Sequence, residues 1–113
     1  MKTITTDELK SLRKKNGDLA LVNTLPAESF EKTRIPGAIN VPLDASDFIS
    51  RVEHQAGGKD KPVVVYCASR QCNSSEKAAT KLEAAGFTAV SCYTDGAAAW
   101  QQEPGEMNAS QAC

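Results

Sequence analysis

The chain lacks the features that would mark a membrane, nucleic-acid-binding or disulfide-stapled protein. Its 13 basic and 14 acidic side chains leave a formal net charge of −1, so the balance draws it neither to nucleic acid nor to an anionic membrane. No apolar run approaches the roughly 20 residues that span a bilayer. Behind the opening "MKTITTDELK" stands no apolar segment, so a secretory leader is not expected. The single histidine, His54, falls at a polar helix end and reads as a bystander. Cysteine is sparse and irregularly spaced, at Cys67, Cys72, Cys92 and Cys113, which does not look like the disulfide framework of a small secreted domain. No second close Cys or His pair completes a zinc site. The expectation is a cytoplasmic, reducing setting, with thiols kept for chemistry or burial and neither metal nor cofactor.

With 113 residues the chain makes one domain with a real core, expected over residues 1–104, followed by a flexible polar tail over 105–113. Thr5 and Glu8 have capping-box spacing at the start of a helix that carries Leu9 and Leu12 on one face and stops at Asn16-Gly17. "LALVNT" reads as a buried strand, and Pro26 suits the first turn of a short helix carrying Phe30. Pro36-Gly37 makes a turn, Ala38 to Val41 a brief strand, and Asp44 or Ser46 caps a helix with Phe48, Ile49 and Val52 on one face. "VVVY" is the strongest strand. From Ser74, the residues Ala78, Ala79, Leu82 and Ala85 recur at helical spacing, with Gly86 as the stop. "FTAVSCY" is another strand and "AAAWQQ" a last short helix, in which Trp100 belongs to the core. Strand and helix alternate about five times, the pattern of a parallel sheet covered on both faces.

Cys67 falls where "VVVY" ends and the next helix begins, and such folds bind ligands beyond the carboxyl ends of their strands. Here a curl of backbone N–H groups closed by a helix N-terminus favours the thiolate and cradles an added anionic group. Small residues in "ASRQCNSS" let the backbone curl. Ser69, Asn73, Ser74 and Ser75 add donors, and Arg70 adds a fixed positive charge. A buried structural thiol accounts well for Cys92, inside its strand, and poorly for Cys67. A phosphatase-type site would need an arginine six places after the cysteine. Asn73 stands there, and no arginine follows Gln71. A thioredoxin-type site would have two intervening residues rather than four. What remains is a small soft group held by amides, a sulfane sulfur on a persulfide.

These residues resemble the rhodanese-like domain, the single-domain sulfurtransferase family. "LALVNTLPAESFEKTRIPGAINVPLD" is similar to the family's strand, short helix and "HIPGAINIP" segment. "VVVYC" stands as the strand and nucleophile, "SSEKAATKLEAAGF" as the helix after the active loop, and "YTDGAAAW" as the closing "GGxxxW" element. The resemblance runs from about Ile4 to Gln102 and implies three α/β/α layers around a five-stranded, mainly parallel sheet. It is closest to a subgroup with Cys, four residues, then Cys. Three departures stand out. The loop is one to two residues longer than the family's and has no glycine. Asn23, Thr24 and Leu25 replace the family's "D-V-R", so its carboxylate–guanidinium pair is missing. Arg34 stands where the family has histidine.

The resemblance implies that Cys67 takes sulfane sulfur from thiosulfate or a persulfide donor and passes it to a thiol, which can be a protein thiol. It implies a substrate cradle of Ala68, Ser69, Arg70, Gln71, Cys72, Asn73 and Ser74, and a monomer without nucleic-acid or membrane partners. Cys72 reads either as a resolving thiol that attacks a Cys67 persulfide or as a small apolar filler. Two rival functions stand beside the enzyme. One is a non-catalytic module that carries sulfur or binds a partner. The other is a thiol redox switch, or an arsenate- or phosphate-type enzyme, using Cys67 with Cys72.

Overall fold

The structure, a computed structural model, describes residues 2–15, 19–68 and 73–102, the last two as backbone only. The elements in chain order are β1 (Lys2–Thr3), α1 (Thr6–Lys15), β2 (Ala20–Asn23), α2 (Ala27–Thr33), β3 (Ile39–Asn40), α3 (Phe48–Ala56), β4 (Val63–Tyr66), α4 (Ser74–Ala84), β5 (Val90–Tyr93) and α5 (Gly96–Gln102). The five strands pair in parallel in the order β1-β5-β4-β2-β3. Their carboxyl ends therefore share one edge, and β4 lies at the centre.

Alternation along the strands sorts the core into two faces. Val22, Val63, Val65, Val90 and Cys92 pack with Phe48, Val52, Ala78, Ala79 and Leu82 of α3 and α4. Leu21, Val64, Tyr66 and Tyr93 pack with Leu9, Ala97 and Trp100 of α1 and α5. This is the expected three-layer α/β/α arrangement. β1 is a strand that the sequence pattern does not announce. It is two exposed residues held by pairing to β5, with the Ile4 N–H donating to the Cys92 carbonyl at 3.0 Å; so short an exposed strand leaves no alternation to read.

The helix ends follow local chemistry. The Thr5–Glu8 capping box forms, Glu8 N–H to Thr5 Oγ1 at 3.2 Å and Thr5 N–H to Glu8 Oε1 at 2.9 Å. Pro26 lies one residue before α2, and its carbonyl accepts the Phe30 N–H at 2.9 Å. Neither Asp44 nor Ser46 caps α3. The helix starts after Asp47, which makes no side-chain cap, because a turn from the Phe48 N–H to the Ala45 carbonyl at 3.1 Å sets the entry. Leu82 accepts the Phe87 N–H at 3.1 Å where Gly86 ends α4. The Asn16-Gly17 stop and the tail after residue 102 lie outside the described residues. Among the described residues no helix is long and apolar enough to cross a membrane.

Gly37 anchors the Pro36-Gly37 turn against α1. It sits at φ +87°, and a Cβ there would lie 2.9 Å from Arg13 Nη2, the group that donates to the Pro36 carbonyl. Gly37→Ala is therefore expected to cost about 2 kcal/mol, from the left-handed backbone and the displaced guanidinium. Urea unfolding would measure it.

Candidate functional site

Tyr66 ends β4, and Cys67 is the first residue beyond the central strand. Neighbouring strands pin this end. Thr24 donates to the Tyr66 carbonyl twice, from its N–H at 3.1 Å and its Oγ1 at 3.3 Å. From the other side the first amides of α5 reach over: Ala97 N–H donates to the Cys67 carbonyl and Ala98 N–H to the Ala68 carbonyl, each at 2.9 Å. Gly96, at φ +72°, allows the tight passage from β5 into α5 that aims those amides. The "DGAAAW" element is thus the clamp on the start of the loop.

The missing carboxylate–guanidinium pair is replaced by neutral hydrogen bonds. Asn23, fully buried, donates from Nδ2 to Thr33 Oγ1 at 3.0 Å, and its Oδ1 accepts the Leu25 N–H at 2.9 Å. Asn40 Nδ2 donates to the Leu25 carbonyl at 2.7 Å and the Asn23 carbonyl at 3.2 Å. Tyr66 Oη accepts the Ile35 N–H and donates to the Thr33 carbonyl, both at 3.0 Å, so the backbone on both sides of Arg34 is tied to the residue before Cys67. Burial pushes the Tyr66 phenol up, partly offset by its hydrogen bonds and by Arg13 and Arg34. Arg34 itself is exposed and lies over the Phe30 ring at 4.6 Å.

These bonds make Asn23→Asp informative. Thr33 already donates its hydroxyl to the Ser29 carbonyl at 2.7 Å, so a carboxylate at 23 would face an oxygen with no proton to offer. The expected cost at pH 7 is about 1–3 kcal/mol. Burial, outweighing the Arg13 and Arg34 charges felt by the neighbouring Tyr66, raises this acid's folded pKa. The penalty is then absent below the unfolded pKa, about 3.9, and grows as pH rises through the folded value. Urea unfolding at pH 4 and pH 7 would show it, and adding Leu25→Arg should recover part of the loss.

The Cys67 side chain is completely buried, so a donor reaches the sulfur only after local opening. The burial is not purely hydrocarbon. Cys67 Sγ lies 3.6 Å from Ser75 Oγ, and Cys92 Sγ lies 3.3 Å from the same oxygen. Ser75 is the second residue of α4 and is itself fully buried. Asn73 is the exposed N-cap residue of α4, without a side-chain cap, and Ser74 is half-buried. The structure thus brings together Cys67, Ala68 and the first turn of α4. Ser69, Arg70, Gln71 and Cys72 lie outside the described residues, as does Cys113. Cys92 occupies β5 as a buried thiol, pushed up first by burial, and Trp100 is core, as expected. His54 is exposed on α3.

The Ser75 link between two thiols was missed in the sequence, although a signal was there. Ser75, Ala78, Ala79 and Leu82 form one stripe at helical spacing, and all four are buried. A serine at the head of an apolar stripe, beside the loop of a candidate nucleophile, is out of place as packing alone.

Comparison with known proteins bears on this geometry. Over 93 residues the chain is 30% identical to the adenylyltransferase and sulfurtransferase UBA4 of Meyerozyma guilliermondii, covering 79% of this chain and 22% of that protein. Over 89 residues it is also 30% identical to the HTH-type transcriptional regulator Rv0324 of Mycobacterium tuberculosis, covering 79% of this chain and 37% of that one. The chain thus spans well under half the length of either relative. A rhodanese-like domain protein from Staphylococcus aureus superimposes with a TM-score of 0.71 at 29% identity, over 95% of this chain and 98% of that one. The model of the rhodanese-like domain matches residues 5–103. With that match spanning every element from α1 to α5, on a sulfurtransferase-type fold with a cysteine at the end of its central strand, the chain belongs to the rhodanese-like domain family.

Proposed function

We propose that this domain is a sulfurtransferase with Cys67 as its nucleophile. The Cys67 thiolate attacks the outer sulfur of thiosulfate or the terminal sulfur of a persulfide. The donor's S–S bond breaks, and sulfite or a thiolate leaves with the electron pair. Cys67 then carries a persulfide. An acceptor thiolate attacks its outer sulfur, becomes a persulfide itself, and releases Cys67 as the thiolate, with no net oxidation. Backbone amides from Ala68 to Ser74 hold the anionic sulfur. The N-terminal end of α4 adds about 0.3–1 kcal/mol, more when partly buried. Arg70, with Ser69 and Ser74, reads the donor's oxyanion.

The observation that carries this reading is the position of Cys67: one residue past the central strand, clamped by α5 and facing the hydroxyl of the first turn of α4. The test is turnover with a panel of donors, thiosulfate and glutathione persulfide among them, and a small thiol as acceptor. Turnover above the thiol background with at least one donor is expected. No turnover with any donor would favour a second reading, a non-catalytic module that binds a partner or carries sulfur within a larger protein. Two observations favour that alternative: the complete burial of Cys67, and a 30%-identical relative that is a transcriptional regulator.

A further inference from the structure

Ser75 stands between two sulfurs, and the proposed sulfur transfer assigns it no role. Its oxygen is 3.6 Å from Cys67 Sγ and 3.3 Å from Cys92 Sγ, and all three residues have no exposed surface. Packing alone would be served by alanine, which α4 uses at two of its three other seam positions, Ala78 and Ala79, with Leu82 at the third. A buried hydroxyl costs free energy unless its hydrogen bonds are made. The Ser75 oxygen accepts from thiols in two other parts of the fold, one just past the end of β4 and one in β5.

We propose that Cys92 and Ser75 form a buried donor relay that steadies an anionic sulfur at Cys67. With Cys67 protonated, both thiols donate to Ser75 Oγ. When Cys67 loses its proton to solvent, the Ser75 O–H turns to donate to the thiolate, and the Cys92 S–H continues to donate to the Ser75 oxygen. A hydrogen bond to a charged acceptor is roughly twice as strong as a neutral one, and the second donor polarises the first. The relay needs Cys92 to keep its own proton, and burial favours that, with the Glu76 charge acting in the same direction.

The core on this side of the sheet is apolar. On this face β4 presents Val63 and Val65, β5 presents Val90, and α3 presents Phe48 and Val52, over whose Phe48 ring Lys81 Nζ lies at 5.5 Å. Tyr66 and Tyr93 belong to the other face of the sheet. His54, the one histidine, is exposed on α3; on this face it is the Ser75 hydroxyl, with Cys92 behind it, that meets the Cys67 sulfur. Cys67 is a thiolate twice in the proposed cycle, as attacking group and again as leaving group, and the relay acts on both steps. Ser75 and Cys92 are positioning residues; neither touches the donor.

The test reads Cys67 directly and rests on the proposed function only for its meaning. The rate of Cys67 alkylation by iodoacetamide is followed from pH 5 to 10, with peptide mass mapping to separate it from the other three cysteines. Ser75→Ala is expected to move the midpoint upward and slow alkylation at neutral pH about threefold to tenfold, with the high-pH plateau kept. Cys92→Ala should shift it the same way by less, and Cys92→Ser, which keeps a donor, should restore most of the effect. Should Ser75→Ala not fold, the two Cys92 variants decide the matter. Unmoved midpoints in the variants that fold, or a change in the plateau alone, would overturn the relay and reduce Ser75 to packing. Wild-type protein that transfers no sulfur while these midpoints still move would sink the enzyme reading and leave the relay standing.

Discussion

Cys67→Ala is expected to abolish sulfur transfer, lowering turnover on the order of a thousandfold or more, to the uncatalysed rate of donor with acceptor thiol. No other described group can replace it. Cys92 is buried on β5 behind Ser75, with its proton held by burial, and the exposed His54 lies beside β3, an edge strand of the sheet. The same assay on Cys72→Ser separates the rivals. A thiol acceptor itself discharges the Cys67 persulfide, so transfer should be unchanged without Cys72. Loss of turnover in Cys72→Ser, with a Cys67–Cys72 disulfide in the wild type, would favour the redox-switch reading instead. Steady-state kinetics with the most active donor would distinguish these outcomes.

The second large effect is on the fold and reaches the site through it. Trp100 is the largest fully buried side chain, between α5 and the face of the sheet that carries Tyr66 and Tyr93. Lys10 Nζ lies 5.8 Å and Arg13 Cζ 5.5 Å from its ring centroid, so its removal forfeits cation–π contacts as well as burial. Trp100→Ala is expected to cost about 3–5 kcal/mol, a large share of the 5–15 kcal/mol that holds a domain of this size. Trp100→Phe should stay within about 1.5 kcal/mol, because among the described residues the indole N–H has no acceptor to lose. Because α5 also supplies the amides that clamp Cys67 and Ala68, Trp100→Ala should lose activity at temperatures below its own melting point. Thermal unfolding beside activity would show both. An alanine variant as stable as the wild type would mean that α5 is not anchored by this residue.

Much of this architecture was legible in the residues because the patterns were local. "VVVY" read as the strongest strand, the Thr5–Glu8 spacing wrote its own cap, and the stripe Ala78, Ala79, Leu82 pointed α4 at the sheet. β1 was not legible, because two exposed residues become a strand only when β5 offers them a partner. The absence of the "D-V-R" charges at 23–25 was visible. What replaced them was not, because the Asn23, Asn40 and Tyr66 bonds join residues far apart in the chain. Cys92 was rightly read as buried. Its proximity to Ser75 depends on how α4 lies across β5, information that no single segment carries.

The position of Cys67 ties these results together: the strand, the α5 clamp and the Ser75 hydroxyl all converge on that sulfur. The most direct check is the mass of the Cys67-containing peptide after treatment with a sulfane-sulfur donor, followed by addition of acceptor thiol. The expected result is a gain of one sulfur atom on Cys67, removed by the acceptor and absent in Cys67→Ala. Sulfur found on another cysteine instead, or an unchanged Cys67 in protein that nonetheless turns over donor, would contradict it.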